Sequence, residues 1–241
     1  MDAASYQLLL VEAPDVGPAE LRAAVRWRIK DLISFHIDDA VIDVFEIPGQ
    51  TGTAQARMMY AVAARATRVQ ATVDAFEDSG LFLDIIDIPE MCLRNVASLL
   101  PQDVDGLATL YLTRDYGLIT LTRQGTLYLA RRLEVGERAL SAADDPDRRE
   151  ALLGNIVLEI QRSLDYYESH FSQPAIGTLA IAPTETETGY LNAYLDANID
   201  IDIAPLDIND LVAGEVPLER AEQARCLLAI GAALRTEEVA L

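Results

Sequence analysis

Two pairs of closely spaced carboxylates could do acid–base or metal chemistry: Asp84 and Asp87 in LDIIDIP, and Asp200 and Asp202 in IDID. Both lie at the ends of apolar, strand-like runs, where acids in an acidic chain are ordinarily solvated. His36 and His170 stand far apart without ligand-spaced companions, so a zinc site is not expected. Ser163 and Cys226 have no base at a recognisable spacing. Cys92 and Cys226 sit in apolar helix patterns and read as structural thiols of a reducing compartment. Neither G-x-x-x-x-G-K-[ST] nor G-x-G-x-x-G occurs. Positive charge concentrates in one place, over Arg22, Arg26, Arg28 and Lys30. Arg22, Arg26 and Lys30 share one helix flank at i, i+4 spacing. Trp27 lies outside the apolar stripe of that helix and Arg28 within it. Tryptophan and arginine dominate binding hot spots, so a docking surface is one reading. The other is a solvated flank with an aromatic packed on a neighbouring subdomain.

That flank is unusual because the chain has 19 basic against 39 acidic residues, a net charge of −20. Such a charge repels phosphate backbones and anionic membrane surfaces alike, which disfavours nucleic-acid and direct lipid binding. With 241 residues, 51% of them hydrophobic, the chain can bury one large or two small cores. No apolar run approaches the ~20 residues of a membrane span. Met1–Ser5 is short and acidic, so no leader is expected.

The elements that must position these residues fall into two groups. Tyr6–Val11 reads as a strand. Pro18 starts a helix to about Phe35, with Leu21, Val25, Ile29 and Leu32 as its apolar stripe. Strands follow at Ala40–Ile47 and Arg57–Ala64, with a Pro48–Gly52 turn between them. A helix over Arg68–Ser79 is closed by Gly80. Leu81–Ile88 is apolar and β-branched, as a strand is, and Glu90–Leu100 is helical. Pro101–Gly106 reads as a linker. Residues 107–133 then form three short strands, LATLYLT, GLITLT and GTLYLARRL, with turns at Arg114–Tyr116 and Arg123–Gly125. An acidic connection, Ser141–Asp147, precedes a helix from Arg148 to Phe171 whose inner face carries Ile156, Ile160, Leu164 and Tyr167. Strand Ile176–Ile181, helix Glu187–Ala197, strand Ile199–Ile203 and helix Leu218–Arg235 complete the chain. A meander followed by alternating helices and strands implies crossovers and a mixed sheet.

The segments YQLLLVEAP, ELRAAVRWRIKDLISFHIDDAVIDVFEIP, YAVAARATRVQATVDAFEDSGLFLDIIDIPE and LEIQRSLDYYESHF resemble the MshI/PilM family, most closely MshI. These are actin-like cytoplasmic proteins of type IV pilus assembly, related in fold to FtsA. The resemblance implies an α/β, actin-like (ribonuclease H-like) two-lobe fold. It divides the chain into 1–105, an incomplete first lobe with an inserted FtsA-like subdomain, and 106–241, the second lobe. The family has a further N-terminal segment with the first phosphate loop, so this chain looks truncated or shortened. A strand edge left open by that truncation, at Tyr6–Val11 or a neighbour, predicts a homodimer.

The resemblance also locates the nucleotide loops. Tyr111 stands where an Asp is expected and Thr113 where a Gly is expected. Asp115–Tyr116–Gly117 is either a displaced Asp-x-Gly or the hairpin turn. The adenosine loop, which should carry adjacent glycines, reads Ala182–Pro183–Thr184, and Pro183 removes an amide donor. No cofactor is therefore expected. The implied role is a non-catalytic scaffold of an MSHA-like pilus platform, a degenerate actin-like ATPase. It would be cytoplasmic, held at the inner membrane by the tail of a bitopic partner of PilN or MshJ kind that docks at Arg22, Arg26, Trp27 and Lys30. The alternative is a nucleotide-binding switch of the same assembly or of a type II secretion system. A cell-division-type membrane tether lacks support, because no amphipathic basic tail follows Arg235.

Overall fold

A computed structural model of the chain describes residues 5–48, 50, 57–186 and 189–236. It comprises two compact units that divide after Pro89.

The first unit is built on a three-stranded antiparallel sheet of order β1-β3-β2, with β1 at Tyr6–Glu12, β2 at Ala40–Glu46 and β3 at Met58–Arg65. Ala61 of the central strand lies opposite Leu9 on one side and Val44 on the other. Its neighbours on that face, Met59 and Ala63, pack with Val11, Val25, Ile29 and Ile42. Alanines at the sheet centre let helix α1 (Pro18–Ile29) approach closely and bury Val25 and Ile29. On the opposite face Phe45 stacks on Tyr60 at 5.1 Å.

α1 ends at Ile29, six residues before Phe35. The amides of Leu32 and Ile33 both turn back to the Ile29 carbonyl. This ending puts Ile33 against the core, while Leu32, expected in the apolar stripe, is exposed. Arg28, also expected there, turns outward to the Glu12 carboxylate at 3.1 Å. Helix α2 (Ala66–Asp78) closes as predicted on Gly80, whose φ is +70°. Gly80 donates to the Glu77 carbonyl and Leu81 to that of Phe76, the paired bonds of a Schellman ending. The expected strand at Leu81–Ile88 does not form. Apolar β-branched residues supply propensity, but a strand also needs a ladder partner, and among the described residues the segment has none. Leu81 and Phe82 are exposed and only Ile88 is buried.

The second unit holds a five-stranded sheet of order β6-β5-β4-β7-β8. β4 (Leu107–Leu112), β5 (Gly117–Arg123) and β6 (Thr126–Leu133) are the predicted antiparallel meander. β7 (Thr178–Ile181) and β8 (Asp202–Pro205) extend it in parallel beyond β4. Every residue of β4 is buried, as a central strand covered on both faces requires. One cover contains the 26-residue helix α5 (Pro146–Phe171), which buries Ile156, Ile160 and Tyr167. Tyr128 of β6 meets Tyr167 and Phe171 edge-on, each at 5.4 Å. Asp145 caps α5 by accepting from the Asp147 amide. The other cover gathers Leu93, Val96, Leu107, Tyr111, Leu206 and Leu227 and draws on helices α3 (Pro89–Ala97) and α7 (Arg220–Ala233). The short helix α4 (Glu137–Ser141) and helix α6 (Gly189–Asn198) complete the unit. Neither α4 nor its role was evident from periodicity. The predicted start of α6 at Glu187 lies outside the described residues, as does most of the Pro48–Gly52 turn.

The predicted linker at Pro101–Gly106 is instead a 3-10 turn, Pro101–Val104, integral to the second unit. Asp103 is buried, and its carboxylate accepts from the Gly125 amide at 2.6 Å. It thereby holds the β5–β6 turn, where Gln124 and Gly125 both take positive φ. Arg94 of α3 donates to the Gly125 carbonyl. These bonds tie α3 and the 3-10 turn to the second sheet, in keeping with the division into compact units after Pro89.

α7 and α3 cross at Gly231. A Cβ there would lie 2.3 Å from the Cys92 carbonyl oxygen, and Asn95 donates to the Gly231 carbonyl at 2.8 Å within the core. Gly231→Ala should therefore cost about 1–3 kcal/mol of stability, the usual penalty of overpacking. Gly177→Ala, which meets nothing within 4 Å, should stay within about 0.5 kcal/mol of the parent. Urea denaturation of both variants checks this; equal midpoints would mean that the two helices can slide apart.

Candidate functional site

In the second unit, an open cleft of about 480 Å³ lies at the carboxyl ends of the parallel strands β4 and β7, where ligands of open α/β sheets ordinarily sit. Its walls come from the β4–β5 turn, α4, the segment after β7, and α7. Tyr111, Thr113, Arg114, Glu137, Thr186 and Arg225 are among the lining residues.

The β4–β5 turn is closed on itself. Thr113 donates its amide and hydroxyl to the Tyr116 carbonyl, at 2.8 and 2.9 Å, and its hydroxyl accepts from the Tyr116 amide. Asp115–Tyr116–Gly117 is thus hairpin turn leading into β5. The Asp115 carboxylate points to Arg138 at 3.1 Å, both well exposed. Tyr111 is buried, and that burial, reinforced by the nearby Tyr116 and Glu137, pushes its phenol up to about 12. A carboxylate at this position would bring a charge able to orient a metal and its waters; Tyr111 brings a neutral ring.

α4 begins where β6 has turned back over the hairpin. A Cβ at Gly136 would stand 2.5 Å from Asp115 and Tyr116 backbone atoms, so only glycine fits this approach. The amides of Glu137 and Arg138 then donate to the carbonyls of Thr113 and Arg114, at 2.8 and 2.9 Å. This docking aims the Glu137 side chain at the segment after β7. One carboxylate oxygen accepts from the Glu185 amide at 3.1 Å. The other accepts from the Thr186 amide at 3.0 Å and the Thr186 hydroxyl at 2.7 Å. Glu137 is buried, and these three donors satisfy it without an ion pair. In the same segment the Ala182 amide is spent on Leu110, continuing the ladder, and Pro183 has none to offer. Thr184 is held by Arg220 at 2.9 Å. Arg114 and Arg225 are exposed on the cleft wall and make no side-chain hydrogen bond or ion pair among the described residues.

The structure therefore brings Tyr111 and Thr113 into the cleft, while Ala182 and Pro183 are separated by Thr184 from the Glu185–Thr186 segment that lines it. Sequence reasoning missed Glu137. Its available signal was a glycine–acid pair, Gly136–Glu137, three residues after the end of a strand. The other candidates stay apart from this site. Asp84, Asp200 and Asp202 are exposed. Ser163 is buried and donates to the Glu159 carbonyl within its own helix. His170 stacks on Tyr166 at 3.8 Å, and His36 accepts from the Asp38 amide. Among the described residues, no group of three or more His, Cys, Asp or Glu is placed to hold a metal.

In the first unit, the basic flank of α1 is largely committed. Arg22 pairs with Asp43 of β2 at 3.4 Å. Arg26 donates to the Ile37 carbonyl at 2.6 Å and pairs with Asp38 at 3.3 Å. Trp27 is 73% exposed, and the Lys30 ammonium lies 5.4 Å from its ring centroid. Trp27 and Lys30 form an aromatic–cation pair facing outward.

No helix of the described residues is long and apolar enough to cross a membrane. No protein-family model matches the sequence, and no curated protein matches it. Among solved structures, the chain is similar to a chain of the PilM–PilN type IV pilus biogenesis complex, with a TM-score of 0.72 at 19% identity, over 97% of this chain and 77% of that one. It also aligns with the cytoplasmic domain of EpsL, an inner-membrane component of the type II secretion system of Vibrio cholerae, with a TM-score of 0.49 at 11% identity, over 98% and 73% of the two chains. At 19% identity the first likeness speaks to architecture alone, and the architecture is the actin-like α/β fold.

Proposed function

We propose that this chain is a non-catalytic scaffold of the PilM/MshI kind. It works on the cytoplasmic side of the inner membrane, in a type IV, MSHA-like pilus platform. It does so by binding the cytoplasmic tail of a bitopic membrane protein comparable to PilN or MshJ. The observation that carries the reading is the pairing of a PilM-like fold over 97% of the chain with a cleft whose phosphate-facing groups are replaced or engaged. A neutral buried Tyr111 stands for the expected acid, Thr113 closes its own turn, and Pro183 lacks an amide. The net charge of −20 supports attachment through a protein rather than through anionic lipid.

A nucleotide-binding switch is the rival reading. The open cleft and the uncommitted Arg114 and Arg225 favour it, since guanidinium groups suit phosphate. Calorimetry with Mg-ATP separates the two. The scaffold reading expects no measurable heat of binding, and a dissociation constant in the low micromolar range, about −8 kcal/mol, would overturn it.

The docking surface follows from what α1 leaves uncommitted. Arg22 and Arg26 hold β2 and the turn before it, so Trp27 and Lys30 are the contact residues and the two arginines position them. With N-terminal tail peptides of a neighbouring bitopic membrane protein, Trp27→Ala should weaken binding by roughly 2 kcal/mol, as a hot spot does. Arg26→Ala should instead lower the thermal stability of the first unit. Unchanged peptide affinity in a folded Trp27→Ala protein would move the tail to another surface.

The scaffold further acts as a homodimer. Among the described residues β1 pairs only with β3, so its outer edge offers unpaired backbone groups to another strand. Light scattering over a wide concentration range should show a two-fold species. A monomer at every concentration would rule the dimer out.

A further inference from the structure

The mechanism of a scaffold makes no use of Glu137, yet this buried acid is the best-anchored charged group in the cleft. We infer that the amides of Glu185 and Thr186, with the Thr186 hydroxyl, form an oxyanion-binding site that the chain closes with its own Glu137 carboxylate. Two successive backbone N–H groups and a hydroxyl converge on one small acceptor at 3.1, 3.0 and 2.7 Å. That is the donor set of an anion-binding loop. Both carboxylate oxygens are engaged, one by each amide, and among the described residues no basic side chain reaches them. A buried carboxylate without a cation is stable only where donors of this kind are fixed in advance.

The fixing is visible on both sides. Gly136 admits the hairpin backbone against the start of α4, and two backbone bonds from Glu137 and Arg138 lock α4 there. On the other side, Thr184 is buried, donates its hydroxyl to the Thr186 carbonyl at 2.8 Å, and accepts from Arg220 of α7. The loop therefore keeps its shape independently of Glu137, and removal of the side chain leaves a preformed vacancy sized for a small carboxylate. In the parent protein the vacancy is filled in cis, so soluble anions are left with the exposed Arg114 and Arg225.

Replacing Glu137 with alanine and supplying acetate tests the assignment. Glu137→Ala should melt several degrees below the parent in chloride. Acetate at tens of millimolar and matched ionic strength should restore part of the loss, while leaving the melting temperature of the parent unchanged. Glu137→Gln guards against a variant that does not fold. Its amide keeps the shape but turns an N–H toward one of the donors. Exchange of the Glu185 or Thr186 amide should then run about tenfold faster or more, with no response to acetate. A Glu137→Ala protein that melts like the parent, or that responds to acetate no more than the parent does, overturns the site. So does unaltered amide exchange in Glu137→Gln. These readouts are independent of whether the parent binds Mg-ATP, so the scaffold reading and this assignment can fail separately.

Discussion

Where the parallel strands β4 and β7 end, backbone amides converge, and whatever satisfies them decides what that end of the sheet can do. Here the satisfaction is internal. The Ala182 amide continues the ladder, Pro183 contributes none, and Glu137 takes those of Glu185 and Thr186. The constraint reaches outward from there. Glu137 can take this position only because Gly136 lets the hairpin backbone come within contact of the α4 start. The hairpin in turn is closed by Thr113 rather than left open as a loop. Tyr111 lines the cleft beside them as a neutral ring. At this point of the sheet end the protein's own carboxylate occupies the amide donors, beside an open cleft lined by Arg114 and Arg225.

Charge tells a similar story in the first unit. In a chain of net charge −20, the basic flank of α1 would draw counter-charge from anywhere. It draws most of it from its own neighbours, through Asp43, Asp38 and Glu12. These exposed pairs add little stability each, but they orient the helix so that Trp27 stands clear of it. The exposed indole beside Lys30 is the surface on which the proposed docking reading rests.

Much of this was legible in the sequence because the signals were local. The meander announced itself through alternating apolar residues and Gln124–Gly125 at the turn, and α2 through Gly80 at its end. What escaped depended on contacts distant in sequence. Pro101–Gly106 has the composition of a linker, but Asp103 reaches a turn 22 residues away. Leu81–Ile88 has the composition of a strand without a ladder partner. α1 has periodicity to Leu32, yet it stops at Ile29, where backbone bonds redirect Ile33 into the core. Tyr111 and Thr113 were singled out through the family resemblance, and both line the cleft. Glu137 was not, since α4 spans five residues and leaves no periodic trace.

The Glu185 and Thr186 donors at this end of the sheet are taken by the protein's own Glu137. Amide hydrogen exchange at Glu185 and Thr186, followed with and without Mg-ATP, reads it directly. The account predicts slow exchange that nucleotide does not change. Fast exchange that slows when Mg-ATP is added would show donors held open for a phosphate, and would contradict it.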